Sequence, residues 1–301
     1  MPKKLVLPKL DDLSLSTGKK ARLYRLMYER GLKNGTLLLM PIDQGLEHGP
    51  RDFFDNPESA DPEFQLRLTL EGGYNGIVFQ IGVAEKYMPK YAGRVPLVLK
   101  LNGKTEIPGE DPLSPQLASV KDAVRLGADA IGYTLYVGTP KQTEDFIQFG
   151  RIREEAERYG MPIIVWAYPR GKYVEAKGGQ DSLYAVEYAA RVAHELGADI
   201  VKVNFPKIPN PKDADAPKPY NNLKFTPEEA IQRVVKAAQK TLVLISGGGK
   251  VSDEEVLRKA TLSMQAGAIG LIFGRNMWQR KFPDAMKMTR SIQKMLSQFS
   301  R

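Results

Sequence analysis

A lysine interrupts the apolar run Ile200-Val201-Lys202-Val203, and lysines are almost never buried without a partner or a purpose. An amine held among apolar walls and near other cations loses its proton readily, and the free amine can attack a carbonyl to form a Schiff base. A strand-edge lysine that snorkels its charge to water explains the same pattern equally well. Tyr168 in VWAYPRG carries a phenol able to exchange a proton with a substrate hydroxyl, although a tyrosine there more often packs with its hydroxyl satisfied. Asp43 in MPIDQGLEHGP is placed to orient a hydroxyl or to balance a protonated Schiff base; it could equally start a turn or a cap. Glu47 and His48 follow in the same segment. A Glu-His pair suggests a metal, but one imidazole with scattered carboxylates is a thin ligand set, and His48 is read as structural. His194, beyond Arg191 in a helical stretch, is read as surface or interhelical.

A second constellation suits an anion. Ser246-Gly247-Gly248-Gly249 frees backbone N–H groups for close approach, and Gly274-Arg275-Asn276 stands where another helix begins, adding its positive end and a guanidinium. Either glycine cluster alone would be explained by a tight turn; the two together, with Arg275, favour phosphate.

These residues need a scaffold that brings them to one place. Eight short runs rich in Val, Ile and Leu recur along the chain: Thr36 to Ile42, Gly76 to Gln80, Pro96 to Leu101, Ala130 to Tyr133, Pro162 to Tyr168, Asp199 to Val203, Thr241 to Ser246 and Ile269 to Phe273. Several are apolar at consecutive positions, which suits parallel strands covered on both faces. Amphipathic stretches separate them, at Pro62 to Glu71, Gln116 to Leu126, Lys141 to Tyr159, Asp181 to Leu196, Thr226 to Gln239 and Ser252 to Gln265. Gly-Ala-Asp recurs at 127 to 129 and 197 to 199, each time where a helix turns into the next strand. Eight such βα units predict a single α/β domain, a (β/α)8 TIM barrel; a doubly wound open sheet offers no reason to stop at eight. Barrels put their chemistry at the C-terminal ends of the strands and frequently bind phosphate after strands 7 and 8. Every residue named above as a candidate falls at such an end, together with Gln44, Trp166 and Arg170. Residues 1 to 33, with a helical pattern from Lys20 to Arg30, form an extension expected either to plug the N-terminal end of the barrel or to make an oligomer contact. The segment 206 to 224 opens with five prolines in PKIPNPKDADAPKPY, and leaving the sixth strand it is expected to act as a lid or wall of the site.

Composition narrows the classes. The chain has 301 residues, 42% hydrophobic and 26% charged, with no cysteine and two histidines. Disulfides, thiolate metal sites, cysteine nucleophiles and iron–sulfur clusters are excluded, and histidine-rich zinc sites are disfavoured. The formal charge of +9 suits a solvated surface or an anionic partner, and no basic run with interleaved aromatics points to nucleic acid. The longest apolar stretches are about seven residues against the roughly 20 that a membrane span needs. The opening MPKKLVLPKL has too short an apolar stretch for an export signal, so the expectation is a cytoplasmic protein without membrane contact.

Taken together, the motifs IDQGLEHGP (42 to 50), DNPESADPEF (55 to 64), VFQIGVAEKY (78 to 87), LVLKLNGKT (97 to 105), VWAYPRG (165 to 171), ELGADIVK (195 to 202), SGG (246 to 248) and GRNMWQR (274 to 280) resemble those of the archaeal-type class I fructose-bisphosphate aldolases. The resemblance implies a TIM barrel that reversibly cleaves fructose 1,6-bisphosphate to dihydroxyacetone phosphate and glyceraldehyde 3-phosphate with neither metal nor cofactor. It implies Lys202 as the Schiff-base lysine, Tyr168 as the proton-transferring residue and Asp43 as an active-site aspartate. Gln44, Trp166 and Arg170 would line the substrate channel, and Ser246, Gly247, Gly248, Gly274 and Arg275 would hold phosphate. It further implies a homo-oligomer, often a decamer. One departure is that relatives carry a second basic residue two positions after the lysine, where this chain has Asn204. The alternative is a related Schiff-base or transaldolase-type enzyme acting on another phosphorylated keto compound.

Overall fold

A computed structural model describes residues 9–109, 112–249 and 251–299. Eight strands run in parallel, β1 Leu37–Pro41, β2 Gly76–Gln80, β3 Leu97–Lys100, β4 Ala130–Val137, β5 Ile163–Pro169, β6 Ile200–Val203, β7 Leu242–Ser246 and β8 Gly270–Ile272. Each pairs with the next and β8 closes on β1, so the sheet is a barrel without edges. Side chains alternate between two faces with the strand period of two. Leu37, Leu39, Val78, Val98, Ile164, Ile200, Leu242, Leu244 and Ile272 fill the interior, while Leu38, Met40, Ile77, Phe79, Leu97 and Leu99 pack outward on the helices. Both faces being covered is why the sequence runs are apolar at consecutive positions.

The N-terminal extension closes one end of that interior. Its helix Thr17–Tyr24 passes into a π-helical turn, Arg25–Glu29, and Leu10, Leu23, Leu26 and Met27 join the interior cluster. Lys19, 4% exposed, pairs with Asp199 at 3.0 Å and Glu157 at 2.9 Å, which ties the extension to the residue just before β6. The helix starts earlier than Lys20 and ends in a π turn because its apolar residues must reach the barrel floor.

The helix signals act where the sequence places them, with one shift. Thr226 and Glu229 cap helix Pro227–Ala237 reciprocally, and Ser252 accepts from the Glu255 N–H at the head of Asp253–Gln265. Gly127 and Gly197 end their helices at positive φ, 66° and 94°, a conformation that costs any other residue more. The helix expected from Gln116 begins only at Val120. Gln116 forms a bridge with Asn102, and Ser119 with Asp122 builds the cap three residues later.

Candidate active site

Lys202 sits near the end of β6, facing into the barrel and 4% exposed. It lies in register with Trp166 of the neighbouring strand. Its Nζ donates to the Tyr168 hydroxyl at 2.5 Å and lies 5.2 Å from the Trp166 ring centre and 5.0 Å from that of Tyr168. Burial, reinforced by repulsion from Lys100 and Arg275 and opposed by Asp43 and Glu47, brings its pKa down to about 8. A measurable fraction is therefore free amine near neutrality. The Tyr168 phenol is pushed the other way, above its ordinary pKa, first by burial and then by the charges of Glu47 and Asp43, so it rests protonated.

Asp43 follows β1 and is 3% exposed. One carboxylate oxygen accepts from Lys100 at 3.2 Å; the other is buried with no hydrogen-bond partner among the described residues, an acceptor waiting for a donor. Burial would raise this carboxyl, but the cations Lys100 and Lys202 more than offset it and hold Asp43 ionised below its usual range. Lys100 ends β3, is fully buried and also reaches Glu47 at 3.5 Å. Its Nζ lies 5.2 Å from the same Trp166 ring. Room for that ring comes from Gly132 on β4, where a Cβ would stand 2.7 Å from Trp166 and 3.0 Å from the Lys100 stem.

Above this layer opens a cavity of about 680 Å³, bordered by Asp43, Gln44, Tyr168, Arg170, Lys202, Ser246, Gly247, Gly248, Gly274 and Arg275. Ten of the eleven candidates from sequence thus share one space. Trp166 is the exception and corrects the expectation of a channel residue: it lies 1% exposed beneath the two lysines, as a floor, because its inward register places it one layer below Tyr168. Gln44 packs against Gly274, where a Cβ would be 2.8 Å from its Nε2, and its buried Oε1 has no partner among the described residues.

The glycine loop after β7 is open to the cavity, since a Cβ on Gly248 or Gly249 would meet nothing within 4 Å, leaving the backbone free for close approach of an anion. The Arg275 segment is a single helical turn, Arg275–Trp278, too short for the helix-end charge expected from sequence, so the guanidinium is its main positive element. Arg275 makes no ion pair among the described residues. Asn276, 1% exposed, binds the two loops together: its Nδ2 donates to the carbonyls of Gly247 at 3.2 Å and Gly249 at 3.1 Å, and its Oδ1 accepts from the Val251 N–H. Ser246 Oγ donates to Asn204 Oδ1 at 2.6 Å, and Asn204 Nδ2 reaches Asp181 at 3.4 Å, so a polar chain of three side chains runs along this wall. Of the segment 206–224, Pro206, Lys207 and Ile208 border the cavity. The rest turns away, with Asn210 donating to the Gly178 carbonyl and Lys212 pairing with Glu175 at 2.8 Å; it is an anchored wall.

Lys100, Glu47 and Asn276 are functional candidates that the reading of the sequence did not select. Lys100 had a signal: in Leu97-Val98-Leu99-Lys100 it has the same inward parity as Val98. His48 accepts or donates between Asp52 at 2.7 Å and Glu106 at 3.4 Å, and His194 pairs with Thr241.

A closed barrel holding a buried amine against a phenol and a carboxylate, beneath an open polar cavity, is the arrangement of a Schiff-base lyase. The chain belongs to the DeoC/LacD family of aldolases, whose pattern matches residues 37–280. It is 41% identical over 261 residues to the class 1 fructose-bisphosphate aldolase of Thermoproteus tenax, covering 86% of this chain and 89% of that protein. It is 36% identical over 253 residues to the class 1 enzyme of Halobacterium salinarum, covering 84% and 88%. A solved archaeal fructose-1,6-bisphosphate aldolase with its catalytic lysine bound to the carbinolamine intermediate matches with a TM-score of 0.77 at 39% identity, over 91% of this chain and 99% of that one.

Proposed function

We propose that this chain is a metal-independent aldolase that reversibly cleaves fructose 1,6-bisphosphate to dihydroxyacetone phosphate and glyceraldehyde 3-phosphate. The observation that carries the reading is the Lys202 amine hydrogen-bonded to Tyr168 beside Asp43, on the floor of a cavity that also holds the glycine loop and Arg275. Lys202 attacks C2 of the open-chain sugar, and the resulting carbinolamine loses its hydroxyl as water, with the proton coming from Tyr168. The iminium left behind is the electron sink, so no metal is required. The Tyr168 phenolate takes the proton of the C4 hydroxyl as the C3–C4 bond breaks; the bonding pair moves to C3 as an enamine and glyceraldehyde 3-phosphate departs. Tyr168 then returns the proton to C3, and water releases dihydroxyacetone phosphate. A positioned acid/base of this kind contributes roughly 10² to 10⁴ in rate. The free Asp43 oxygen holds a sugar hydroxyl throughout, and Arg275 with the glycine loop holds one phosphate, so that binding remote from C3–C4 orients the reacting bond. Arg170 and Lys207, on the cavity wall, serve the other phosphate.

The same reading makes the enzyme a cytoplasmic homo-oligomer of the decameric kind. Among the described residues no helix is long and apolar enough to cross a membrane. The test is a comparison of kcat/KM for fructose 1,6-bisphosphate, fructose 1-phosphate and non-sugar phosphorylated ketones. Fructose 1,6-bisphosphate is expected to be the best substrate; a clear preference for another keto compound would transfer the site to a related Schiff-base enzyme of the same superfamily.

A further inference from the structure

We infer that Lys100 is a positioning residue: its ammonium, seated between Asp43 and Glu47 under the reacting amine, sets the charge of the site so that Lys202 is freed as an amine. The inference rests on Lys202 being the Schiff-base lysine. Lys100 is fully buried, donates to Asp43 at 3.2 Å and Glu47 at 3.5 Å, and shares the Trp166 ring with Lys202, each Nζ 5.2 Å from its centre. A buried ammonium with two carboxylate partners keeps its proton, because losing it would strand both anions. Lys202 has no carboxylate within ion-pair distance among the described residues; its hydrogen bond goes to a neutral phenol.

Charge counting gives Lys100 its task. With Lys202 neutral, one ammonium and two carboxylates leave a single net negative charge around the amine. Formation of the iminium adds one positive charge as Tyr168 gives up its proton to the departing water, so the cluster keeps the same single negative charge through the step. Without Lys100 the same amine would face two uncompensated carboxylates, which hold a proton on Lys202 and withdraw the nucleophile. Of the other groups facing this cluster, Tyr168 and Tyr136 have pKa values raised by burial and are neutral while the amine is free, and Arg275 adds its repulsion of Lys202 equally in every variant.

The test reads the protonation of Lys202 without substrate, by trace labelling with acetic anhydride across pH and mass spectrometry of the Lys202 peptide. In the unaltered protein, half-reactivity is expected near pH 8. Lys100→Met, which keeps the length of the stem and removes the charge, should move that midpoint upward by about one to three pH units, the range for a neighbouring charge. Adding Glu47→Gln to Lys100→Met restores the single net negative charge and should bring the midpoint most of the way back. Glu47→Gln alone should lower it, which keeps the inference testable where Lys100→Met does not fold. An unmoved midpoint in Lys100→Met, a double variant no closer to the original than the single, or an unmoved midpoint in Glu47→Gln would overturn it. A borohydride-trapped triose on some residue other than Lys202 would instead overturn the Schiff-base reading, and the substrate-free labelling series keeps the two failures apart.

Discussion

Removing the reactive amine should make the protein more stable. Lys202 is 4% exposed, and its pKa falls from the ordinary 10.5 to about 8. At about 1.4 kcal/mol per pH unit, that fall means burying the ammonium costs about 3 kcal/mol at pH 7. Lys202→Met keeps the stem in the same apolar slot and abolishes that cost. The change also removes the donor to the Tyr168 hydroxyl, worth about 1 kcal/mol, which leaves a net gain of about 2 kcal/mol. For a chain of this size that is a rise in Tm of about 4 °C, at roughly 2 °C per kcal/mol. The pH dependence gives the mechanism a signature. Below the folded pKa both folded and unfolded chains carry the proton, and the full cost is present. Between about 8 and 10.5 only the unfolded chain binds it, so the unaltered protein gains stability relative to the variant as pH rises. Denaturant unfolding of both proteins at pH 7 and pH 9.5 should show the variant ahead at the lower pH and its advantage shrinking at the higher. A Lys202→Met protein less stable than its parent at pH 7, or a difference that does not change with pH, would refute the argument.

Other changes separate the roles of the remaining residues. Tyr168→Phe should still form the adduct on Lys202 while cleavage falls by roughly 10² to 10⁴, the value of a positioned acid/base, as read by comparing trapping with steady-state turnover. Arg275→Met should reduce kcat/KM for a phosphorylated substrate by roughly 10- to 100-fold, as expected for lost charge-assisted hydrogen bonds of about 1.5–3 kcal/mol, with far less effect on an unphosphorylated ketose. Gly132→Ala places a methyl 2.7 Å from Trp166; overpacking of this kind costs about 1–3 kcal/mol, and displacement of the ring shared by both lysines should lower the trapping rate together with Tm.

The barrel was legible because each strand is buried on both faces, so its run of Val, Ile and Leu stands out against the polar helices. The N-terminal extension was legible as a helix but not in its task; docking on the barrel floor depends on Leu23, Leu26 and Met27 meeting interior residues from distant strands. Helix Phe282–Leu296 went unread although its buried Ala285, Met288, Ile292 and Met295 follow the helical period. Within the site, Lys202 declared itself by interrupting an apolar run. Lys100 stands one residue from the end of its run, next to the polar stretch that begins at Asn102; its parity with Val98 points it inward, but its partners Asp43 and Glu47 come from a distant segment. Trp166 packs its ring near Lys100 and Lys202 without bordering the cavity, since strand position tells direction but not the level at which the cavity begins. Asn276 was passed over because its partners are the backbone carbonyls of Gly247 and Gly249, a contact between two loops that no local pattern records.

The central claim is that Lys202 forms a Schiff base with a phosphorylated ketone. Incubation with dihydroxyacetone phosphate and sodium borohydride, followed by peptide mass spectrometry, tests it directly. The account expects activity to be lost as a reduced triose phosphate appears on the peptide that carries Lys202, with Lys100 unmodified. Full activity with Lys202 unmodified, or an adduct on Lys100 in its place, would contradict it.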